Sequence, residues 1–119
     1  MIVFLLSSHK MMKQIIQLAA FKKEISDFPI ESREDIFSLI YRFLSNERLG
    51  PGDFKTFNID KNIRIQEFKV KDSKGNWRAI PCLYQKTFLV LVYAFHKKTQ
   101  ELQERDKNVI RKRIKDISI

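Results

Sequence analysis

Three consecutive runs of β-branched and aromatic residues, joined by two short turns, constrain the fold of this chain more than any other feature. The runs cover residues 63–70, 77–84 and 88–95. Asp72-Ser73-Lys74-Gly75 separates the first pair, with Asp first and Gly last as a type I turn prefers. Gln85-Lys86-Thr87 separates the second pair. Because short turns join neighbouring antiparallel strands, the sequence predicts an antiparallel meander over its second half.

The first half of the chain predicts a short strand followed by two helices. Residues 14–18 form the strand, and a helix over residues 21–28 stops before a proline. Ser32 is expected to cap a longer helix, which Gly50-Pro51-Gly52 should end. A last helix is predicted over residues 102–117. The resulting order, β-α-α-β-β-β-α, is that of one small α+β domain.

The excess positive charge of the chain is confined to its second half. Residues 1–54 hold seven Lys/Arg and seven Asp/Glu, whereas residues 55–119 hold sixteen and seven, a net charge of +9. Segregation of this kind makes an electropositive face, which attracts nucleic acid or an acidic protein partner. The charge by itself does not distinguish these two kinds of partner.

Several function classes are disfavoured by what the sequence lacks. It has no stretch of 18 apolar residues, so we expect no membrane span. It has no Cys/His/carboxylate spacing for a metal and no glycine-rich nucleotide motif, so we expect no metal and no cofactor. Cys82 is the only cysteine, which rules out an internal disulfide and favours a cytoplasmic protein.

An apolar run at the start of the chain, residues 1–6, is too short to span a membrane and lacks the features of a signal peptide. We interpret residues 1–11 as an N-terminal extension and residues 12–119 as the domain proper. The apolar run is expected either to lengthen the first strand or to pack on a neighbouring chain, because an isolated apolar hexamer favours association.

Cationic side chains concentrate at two places in the meander. His96, Lys97 and Lys98 follow the apolar third strand, where a rigid strand end would aim them at a phosphate. If the first two strands pair symmetrically about their turn, Lys69 lies opposite Arg78, an unfavourable pair unless an anion is shared. Glu67, two residues along, would partly neutralise the pair diagonally. A glycine bulge at the turn would instead place Lys69 and Arg78 on opposite faces, and the sequence leaves both registers open.

In order and spacing, four segments resemble the phage-related HigB-like branch of the RelE/ParE toxin superfamily. They are Lys22-Lys23-Glu24-Ile25 leading into Phe28-Pro29, then Glu67-Phe68-Lys69-Val70, Gly75-Asn76-Trp77-Arg78 and Phe95-His96-Lys97-Lys98-Thr99-Gln100. The resemblance covers about residues 12–116. It implies a curved antiparallel sheet with a helical hairpin on one side and a C-terminal helix near the open face.

The resemblance also implies a function, the toxin of a type II toxin–antitoxin pair. RelE-like toxins receive mRNA on the ribosome, where the 2′-hydroxyl attacks the adjacent phosphate without a metal. The implied partners are therefore ribosome-bound mRNA and a cognate helix-turn-helix antitoxin. Two alternatives stay open. ParE relatives share the fold and poison DNA gyrase, and a chain of this fold can also be a catalytically silent antitoxin-binding module.

The resemblance assigns candidate catalytic residues. Arg78 and Lys98 match the family's arginine and basic positions best, and Lys69 stands where arginine is usual, so it keeps the charge without the planar fork. His96 and Lys97 are candidate proton handlers by position. RelE has a tyrosine in its C-terminal segment that acts in proton transfer, and residues 103–106 here contain none, so the general acid and base are not assigned.

Further residues are candidates for contact with nucleic acid. They are Lys55, Trp77, Arg111, Lys112 and Arg113. Trp77 would stack on a base, although a tryptophan after a sheet turn more often packs in the protein. The basic triplet 111–113 would contact ribosomal RNA or an acidic antitoxin, with a solvated helix face as the alternative.

Overall fold

The chain folds into a five-stranded sheet with helices on both faces, and a computed structural model describes its residues 5–7, 10–11, 14–98 and 101–117. The elements, in chain order, are β1 (Leu5–Ser7), β2 (Lys10–Met11), β3 (Gln14–Gln17), α1 (Ala19–Ser26), α2 (Ile30–Leu44), β4 (Phe54–Asp60), β5 (Ile63–Asp72), β6 (Gly75–Tyr84), β7 (Phe88–Lys97) and α3 (Glu104–Lys115). None of these helices is long and apolar enough to cross a membrane.

The large sheet has the strand order β3-β7-β6-β5-β4, and the last four strands form an antiparallel meander. β3 pairs with β7 in parallel, so the sheet is antiparallel except at this edge. The α1–α2 hairpin carries the chain away from β3, and the meander then returns β7 beside it. The mixed α+β architecture predicted from the sequence is confirmed.

Strand β4 is missing from the predicted order. Its apolar residues Phe54, Phe57 and Ile59 do not alternate regularly with polar ones, and the pairing with β5 is irregular between Asn58 and Asp60. A strand without strict alternation gives a weak sequence signal. Its presence matters for the site, because β4 brings Lys55 next to β5.

The first turn of the meander has the symmetric register. Asp72 pairs with Gly75, and Lys69 pairs with Arg78, so the latter two lie on the same face of the sheet. The Asp72 carboxylate accepts hydrogen bonds from the backbone N–H groups of Lys74, at 2.8 Å, and Gly75, at 3.0 Å. This side-chain cap closes the turn without a bulge, and the bulged register is thereby excluded.

Ser32 does not cap α2, contrary to expectation. The N-cap of the helix is Pro29, and Ser32 lies inside the first turn, buried, with its hydroxyl donating to Asp72 Oδ2 at 2.6 Å. Pro29 has no N–H group to satisfy, and its carbonyl accepts the first hydrogen bond of the helix, from the N–H of Arg33 at 2.9 Å. The serine is thereby free to tie the start of α2 to the β5–β6 turn.

The end of α2 also differs from the expectation, because the helix stops at Leu44 and not at Gly50-Pro51-Gly52. Asn46 adopts the left-handed conformation, with φ 61°. The N–H of the next residue, Glu47, donates back to the carbonyl of Arg42 at 3.0 Å. This is the Schellman arrangement, in which the left-handed residue is usually glycine and sometimes asparagine.

The two faces of the large sheet carry separate apolar cores. The α1–α2 hairpin covers one face with a core that includes Phe21, Ile40 and Phe68. On the other face Ile110 of α3 packs with residues such as Ile65. The expected placement, with the helical hairpin on one side of the sheet and the C-terminal helix near the open face, is confirmed.

The described part of the N-terminal extension forms a sheet of its own. β1 pairs with β2 in an antiparallel manner, separately from the five-stranded sheet. The apolar run therefore does not lengthen β3 over the residues that are described, and residues 1–4 of that run lie outside them. The boundary at Met12 stays a prediction.

Candidate anion-binding site

Four neighbouring strands each place one charged side chain at a single point on the face that α3 partly covers. Glu67 of β5 is at the centre. Lys55 Nζ of β4 lies 3.6 Å and Arg78 Nε of β6 lies 3.5 Å from Glu67 Oε1. Lys97 Nζ of β7 lies 3.6 Å from Glu67 Oε2. We call these four residues the Glu67 cluster.

The strand register explains why the cluster forms. Lys55 pairs directly with Glu67, and directly paired residues project to the same face. The partner of Arg78 on β5 is two residues from Glu67, and side chains two apart along a strand share a face. Arg78 also pairs with Phe95, and Lys97 lies two residues beyond Phe95. All four side chains therefore project to one side of the sheet.

Burial in the cluster is graded from its centre to its rim. The exposed fraction of the side chain is 0% for Glu67, 5% for Lys97 and 13% for Arg78, but 43% for Lys55. Lys55 also lies over the ring of Phe57, 5.0 Å from its centroid. The cluster is thus closed beneath Glu67 and open to solvent at Lys55.

The cluster holds polar atoms that make no hydrogen bond. Both carboxylate oxygens of Glu67 and the Nε of Arg78 are buried without a partner at hydrogen-bond distance. Ion pairs at 3.5–3.6 Å are longer than charge-assisted hydrogen bonds, which are about 2.7–2.9 Å. Electrostatic attraction, without a hydrogen bond, therefore holds the three cations around Glu67.

The electrostatics of the cluster favour a further anion. Burial lowers the pKa of Lys97, and the nearby charges of Lys55 and Arg78 lower it further, while Glu67 opposes the change. Burial likewise lowers the pKa of Arg78, again against the attraction of Glu67. Three cations surround one carboxylate, so a bound phosphate would relieve their mutual repulsion.

Two other predicted catalytic residues, Lys69 and Lys98, do not belong to the cluster. Lys69 is on the same face as Arg78, but its ammonium group donates to the backbone carbonyl of Pro51, towards the loop before β4. Lys98 is exposed and directly follows β7. Convergence of Lys69 with Arg78 on one face is therefore observed, whereas the Lys69 ammonium is held by the loop.

His96 and Trp77 lie on the opposite face of the sheet from Arg78 and Lys97. They pair across β6 and β7, and their rings stack with centroids 4.4 Å apart. The His96 ring covers Gly75, where an added Cβ would come within 2.0 Å of Nε2, so this position requires glycine. Because neighbouring strand residues alternate between faces, His96 and Lys97 cannot act at one point.

Trp77 is engaged by protein groups on that face. Its indole N–H donates to Asp72 Oδ1 at 3.0 Å, and its ring lies 4.9 Å from the ring of Phe28. Asp72 thereby receives the indole of Trp77, the hydroxyl of Ser32 and the turn backbone, which together lower its pKa to about 2. The placement corresponds to the packing alternative considered for Trp77.

In the basic triplet 111–113 of α3, the two arginines form intramolecular ion pairs and the lysine is exposed to solvent. Arg111 donates to Asp60 Oδ2 and to Glu104 Oε1, both at 2.8 Å. Arg113 donates to both carboxylate oxygens of Glu24, at 2.8 and 2.9 Å, and to the carbonyl of Val92 at 3.0 Å. Lys112 is exposed. The two arginines therefore fasten α3 to the rest of the domain.

Two features of this region escaped the sequence reasoning. Without β4, Lys55 could not be placed beside Glu67, and Glu67 was assigned only a diagonal neutralising role. Tyr93 lies in β7, and its hydroxyl donates to Asp106 Oδ1 at 2.7 Å. Burial and this hydrogen bond raise the pKa of Tyr93. A charge on each of four strands is visible in the sequence, but their meeting depends on the register.

No metal site accompanies the cluster in the part of the chain that the structure describes. No group of three His, Cys, Asp or Glu side chains lies close enough together there to hold an ion. The carboxylate at the centre is already surrounded by cations, which would repel a metal ion.

The fold of this chain is similar to that of a bacterial toxin of known structure. The structure of the E. coli toxin RelE, an arginine-to-alanine double mutant in the free state, is similar with a TM-score of 0.60. The match covers 87% of this chain and 99% of that chain at 12% sequence identity. At this identity the likeness establishes the fold, and the RelE-like fold expected from the sequence is confirmed.

The sequence identifies the family directly. Residues 23–115 match the family described as phage derived protein Gp49-like (DUF891), so the chain belongs to that family. A search of curated proteins found no match. The family match begins after the N-terminal extension and includes all four residues of the Glu67 cluster.

Proposed function

We propose that this protein is the toxin of a type II toxin–antitoxin pair, of the HigB-like branch, and that it cleaves mRNA on the ribosome. The membership in the Gp49-like family and the RelE-like fold support the toxin assignment. The single observation that carries the nuclease assignment is the convergence of Lys55, Arg78 and Lys97 on one face of the sheet.

The proposed reaction is a transfer within the RNA chain. The 2′-oxygen forms a bond to the adjacent phosphorus, the bond from phosphorus to the 5′-oxygen breaks, and a 2′,3′-cyclic phosphate and a 5′-hydroxyl result. Negative charge accumulates on the phosphate oxygens in the transition state. Arg78 and Lys55 are suited to stabilise that charge, since one supplies a planar guanidinium and the other an exposed ammonium at the rim.

Proton transfer is assigned to Lys97 within this proposal. An effective general base or acid has a pKa close to the working pH, and burial moves the pKa of Lys97 in that direction. Neutral Lys97 accepts the proton of the 2′-hydroxyl, and its charged form returns a proton to the leaving 5′-oxygen. His96 is not used, because it lies on the other face.

The remaining cations are assigned to binding. Lys98 is exposed beside the end of β7 and Lys112 is exposed on α3, so both can contact RNA phosphates. Lys69 would join them if it left the carbonyl of Pro51. The proposed partners are ribosome-bound mRNA and a helix-turn-helix antitoxin, and the proposed location is the cytoplasm.

The low exposure of Arg78 and Lys97 favours a second candidate function. With side chains only 13% and 5% exposed, the two cations can serve the stability of the sheet without touching RNA. The chain would then act by binding, either as a ParE-like gyrase poison or as a catalytically silent antitoxin-binding module.

Controlled expression separates the two functions. The protein is expressed from a tightly repressed promoter, and RNA 5′-hydroxyl ends are mapped with and without an inhibitor of translation initiation. The nuclease predicts growth arrest together with new ends in translated mRNA that disappear when translation is blocked. Growth arrest with intact mRNA and inhibited gyrase supercoiling would establish the poison, and normal growth at high expression would favour the silent module.

A further inference from the structure

The acid at the centre of the cluster has no direct task in the proposed reaction. Glu67 is fully buried, and the side chains of Lys55, Arg78 and Lys97 lie around its carboxylate. A group with no exposed surface cannot touch RNA in this arrangement. Whatever Glu67 does for catalysis, it does through the three cations.

The geometry indicates a shared counter-ion. The three cations come from three different strands, and their distances from the carboxylate are nearly equal, at 3.5–3.6 Å. Neither carboxylate oxygen makes a hydrogen bond that would commit it to one partner. A purely stabilising role is poorly served by such a group, because apolar residues of similar volume often replace a buried ion pair without loss of stability.

We infer that Glu67 is a positioning residue, whose carboxylate holds Arg78 and Lys97 side by side for one phosphate and controls when Lys97 loses its proton. The catalytic part of this inference rests on the proposed function. The part that concerns the charge of Lys97 does not, and can be measured on the free protein.

The charged groups around Lys97 define the expected direction. Lys55, Arg78 and Glu67 face it from β4, β6 and β5, and of these Glu67 alone favours its charged form. Removing that carboxylate leaves two cations and a buried environment, all of which favour the neutral amine. Lys97 should therefore lose its proton at lower pH when the Glu67 carboxylate is replaced by an uncharged group.

The test is Glu67→Gln, which keeps the shape of the side chain and removes its charge. Glu47→Gln is the matched control, since Glu47 forms an ion pair of 3.0 Å with Arg42 on the surface and is 52% exposed. NMR titration of the lysine ε-carbons, with Lys97→Met used to assign the signal, measures the Lys97 pKa in RNA-free protein. Equilibrium binding of an oligonucleotide with 2′-deoxyribose at the cleaved position and the single-turnover cleavage rate on programmed ribosomes complete the set.

In the Gln variant the Lys97 pKa should fall. At a pH where Lys97 is still protonated, binding of the uncleavable oligonucleotide should be kept or become tighter, because the site gains net positive charge. The cleavage rate should fall on the order of ten- to a hundredfold, because Arg78 and Lys97 are no longer held in place, and its alkaline limit should move to lower pH. The Glu47→Gln control should match the wild-type protein in all three measurements.

A Lys97 pKa equal to that of the wild-type protein in folded Glu67→Gln would overturn the inference, as would parallel loss of binding and rate. If the wild-type protein binds RNA but never cuts it, the proposed function fails while the Lys97 titration still decides the role of Glu67. Should Glu67→Gln not fold, Glu67→Asp withdraws the carboxylate by one methylene. It should lower the Lys97 pKa in the same direction by less, and an unchanged value in that variant would equally overturn the inference.

Discussion

Arg78 is the residue at which the strand register, the charge and the family motif coincide. Its guanidinium lies between Glu67 and the backbone carbonyl of Trp77, to which Nη1 donates at 3.2 Å. Its Nε remains without a hydrogen bond. A cation held in this way can stabilise a phosphate that approaches from the open side of the cluster, since its position is set before the substrate arrives.

Arg78→Ala should reduce cleavage by about a hundredfold or more, because one preorganised donor to the transition state is lost. The free energy of unfolding should fall by only about 1 kcal/mol, since Lys55 and Lys97 continue to compensate Glu67. Single-turnover cleavage and urea unfolding measure the two effects. Arg78→Lys should recover part of the rate, because it restores the charge without the planar fork.

Arg42→Ala is the control, as it removes an arginine from an exposed ion pair with Glu47. It should leave the cleavage rate unchanged. Full activity in Arg78→Ala, or complete unfolding of that variant, would remove Arg78 from the site.

Asp72 makes the acid stability of the domain predictable. Its pKa is about 2 in the folded protein against an ordinary value of 3.8, chiefly because of the hydrogen bond from Ser32 and then that from Trp77. A depressed pKa contributes stability that is present above about pH 4 and is lost as the pH falls towards 2. The urea concentration at the unfolding midpoint, measured from pH 6 down to pH 2, should therefore decrease between about pH 4 and pH 2.

Asp72→Asn should be less stable than the wild-type protein at neutral pH and should show a smaller fall between pH 4 and pH 2. Asp27→Asn, at an exposed position, should keep the wild-type profile. Equal profiles for the Asp72 variant and the wild-type protein would show that this carboxyl does not tie α2 to the turn.

At the scale of elements, α3 is fastened to the domain by polar contacts as well as by Ile110. Arg113 joins it to Glu24 of α1, and Asp106 accepts the hydroxyl of Tyr93. Glu24 Oε1 in turn accepts the backbone N–H of Ala94 at 3.2 Å. Both α1 and α3 are therefore anchored on β7, the strand that also carries Lys97.

Arg113→Ala should lower the free energy of unfolding by about 1–3 kcal/mol, because a bidentate, partly buried ion pair is lost. It should also speed amide hydrogen exchange in α3 before the sheet is affected. Lys112→Ala, at an exposed position of the same helix, should change neither quantity. A uniform change in exchange across the whole domain would contradict this local attachment.

Some of the secondary-structure elements could be predicted from the sequence and others could not. The β5–β6 turn was predictable because Asp72 and Gly75 specify a short turn, and the apolar runs determined β6 and β7, but the sequence left the β5–β6 register open between two alternatives. Strand β4 was not predictable, because its apolar residues do not alternate, and the end of α2 depended on a left-handed Asn46 that has no strong signature. Arg78 and Lys97 were found as candidates, whereas the separation of His96 from Lys97 follows from strand alternation.

At the scale of the whole molecule, the charge of the second half is divided between two uses. Arg111 and Arg113 are engaged in intramolecular ion pairs, while the Glu67 cluster leaves positive charge on the face that α3 partly covers, and lysines such as Lys98 are exposed. Net charge therefore overstates the number of cations available to a bound anion. The pairing of each arginine could not be predicted, because it joins residues distant in sequence.

The N-terminal extension leads to a prediction about the whole molecule. A chain that starts at Met12 should fold and melt cooperatively, because the large sheet begins at Gln14 and β1 and β2 pair with each other. Differential scanning calorimetry of the shortened chain beside the full chain measures this. Loss of cooperative melting on truncation would show that the extension belongs to the core.

Mapping of RNA ends on purified ribosomes tests directly whether the Glu67 cluster cuts RNA. Ribosomes carrying an mRNA with an empty decoding site are mixed with the wild-type protein, Arg78→Ala or Arg42→Ala. We expect 5′-hydroxyl ends within the exposed codon for the wild-type protein and Arg42→Ala, a rate reduced by about a hundredfold for Arg78→Ala, and no cutting of free mRNA. Intact mRNA in the presence of folded wild-type protein would show that the Glu67 cluster does not cut RNA.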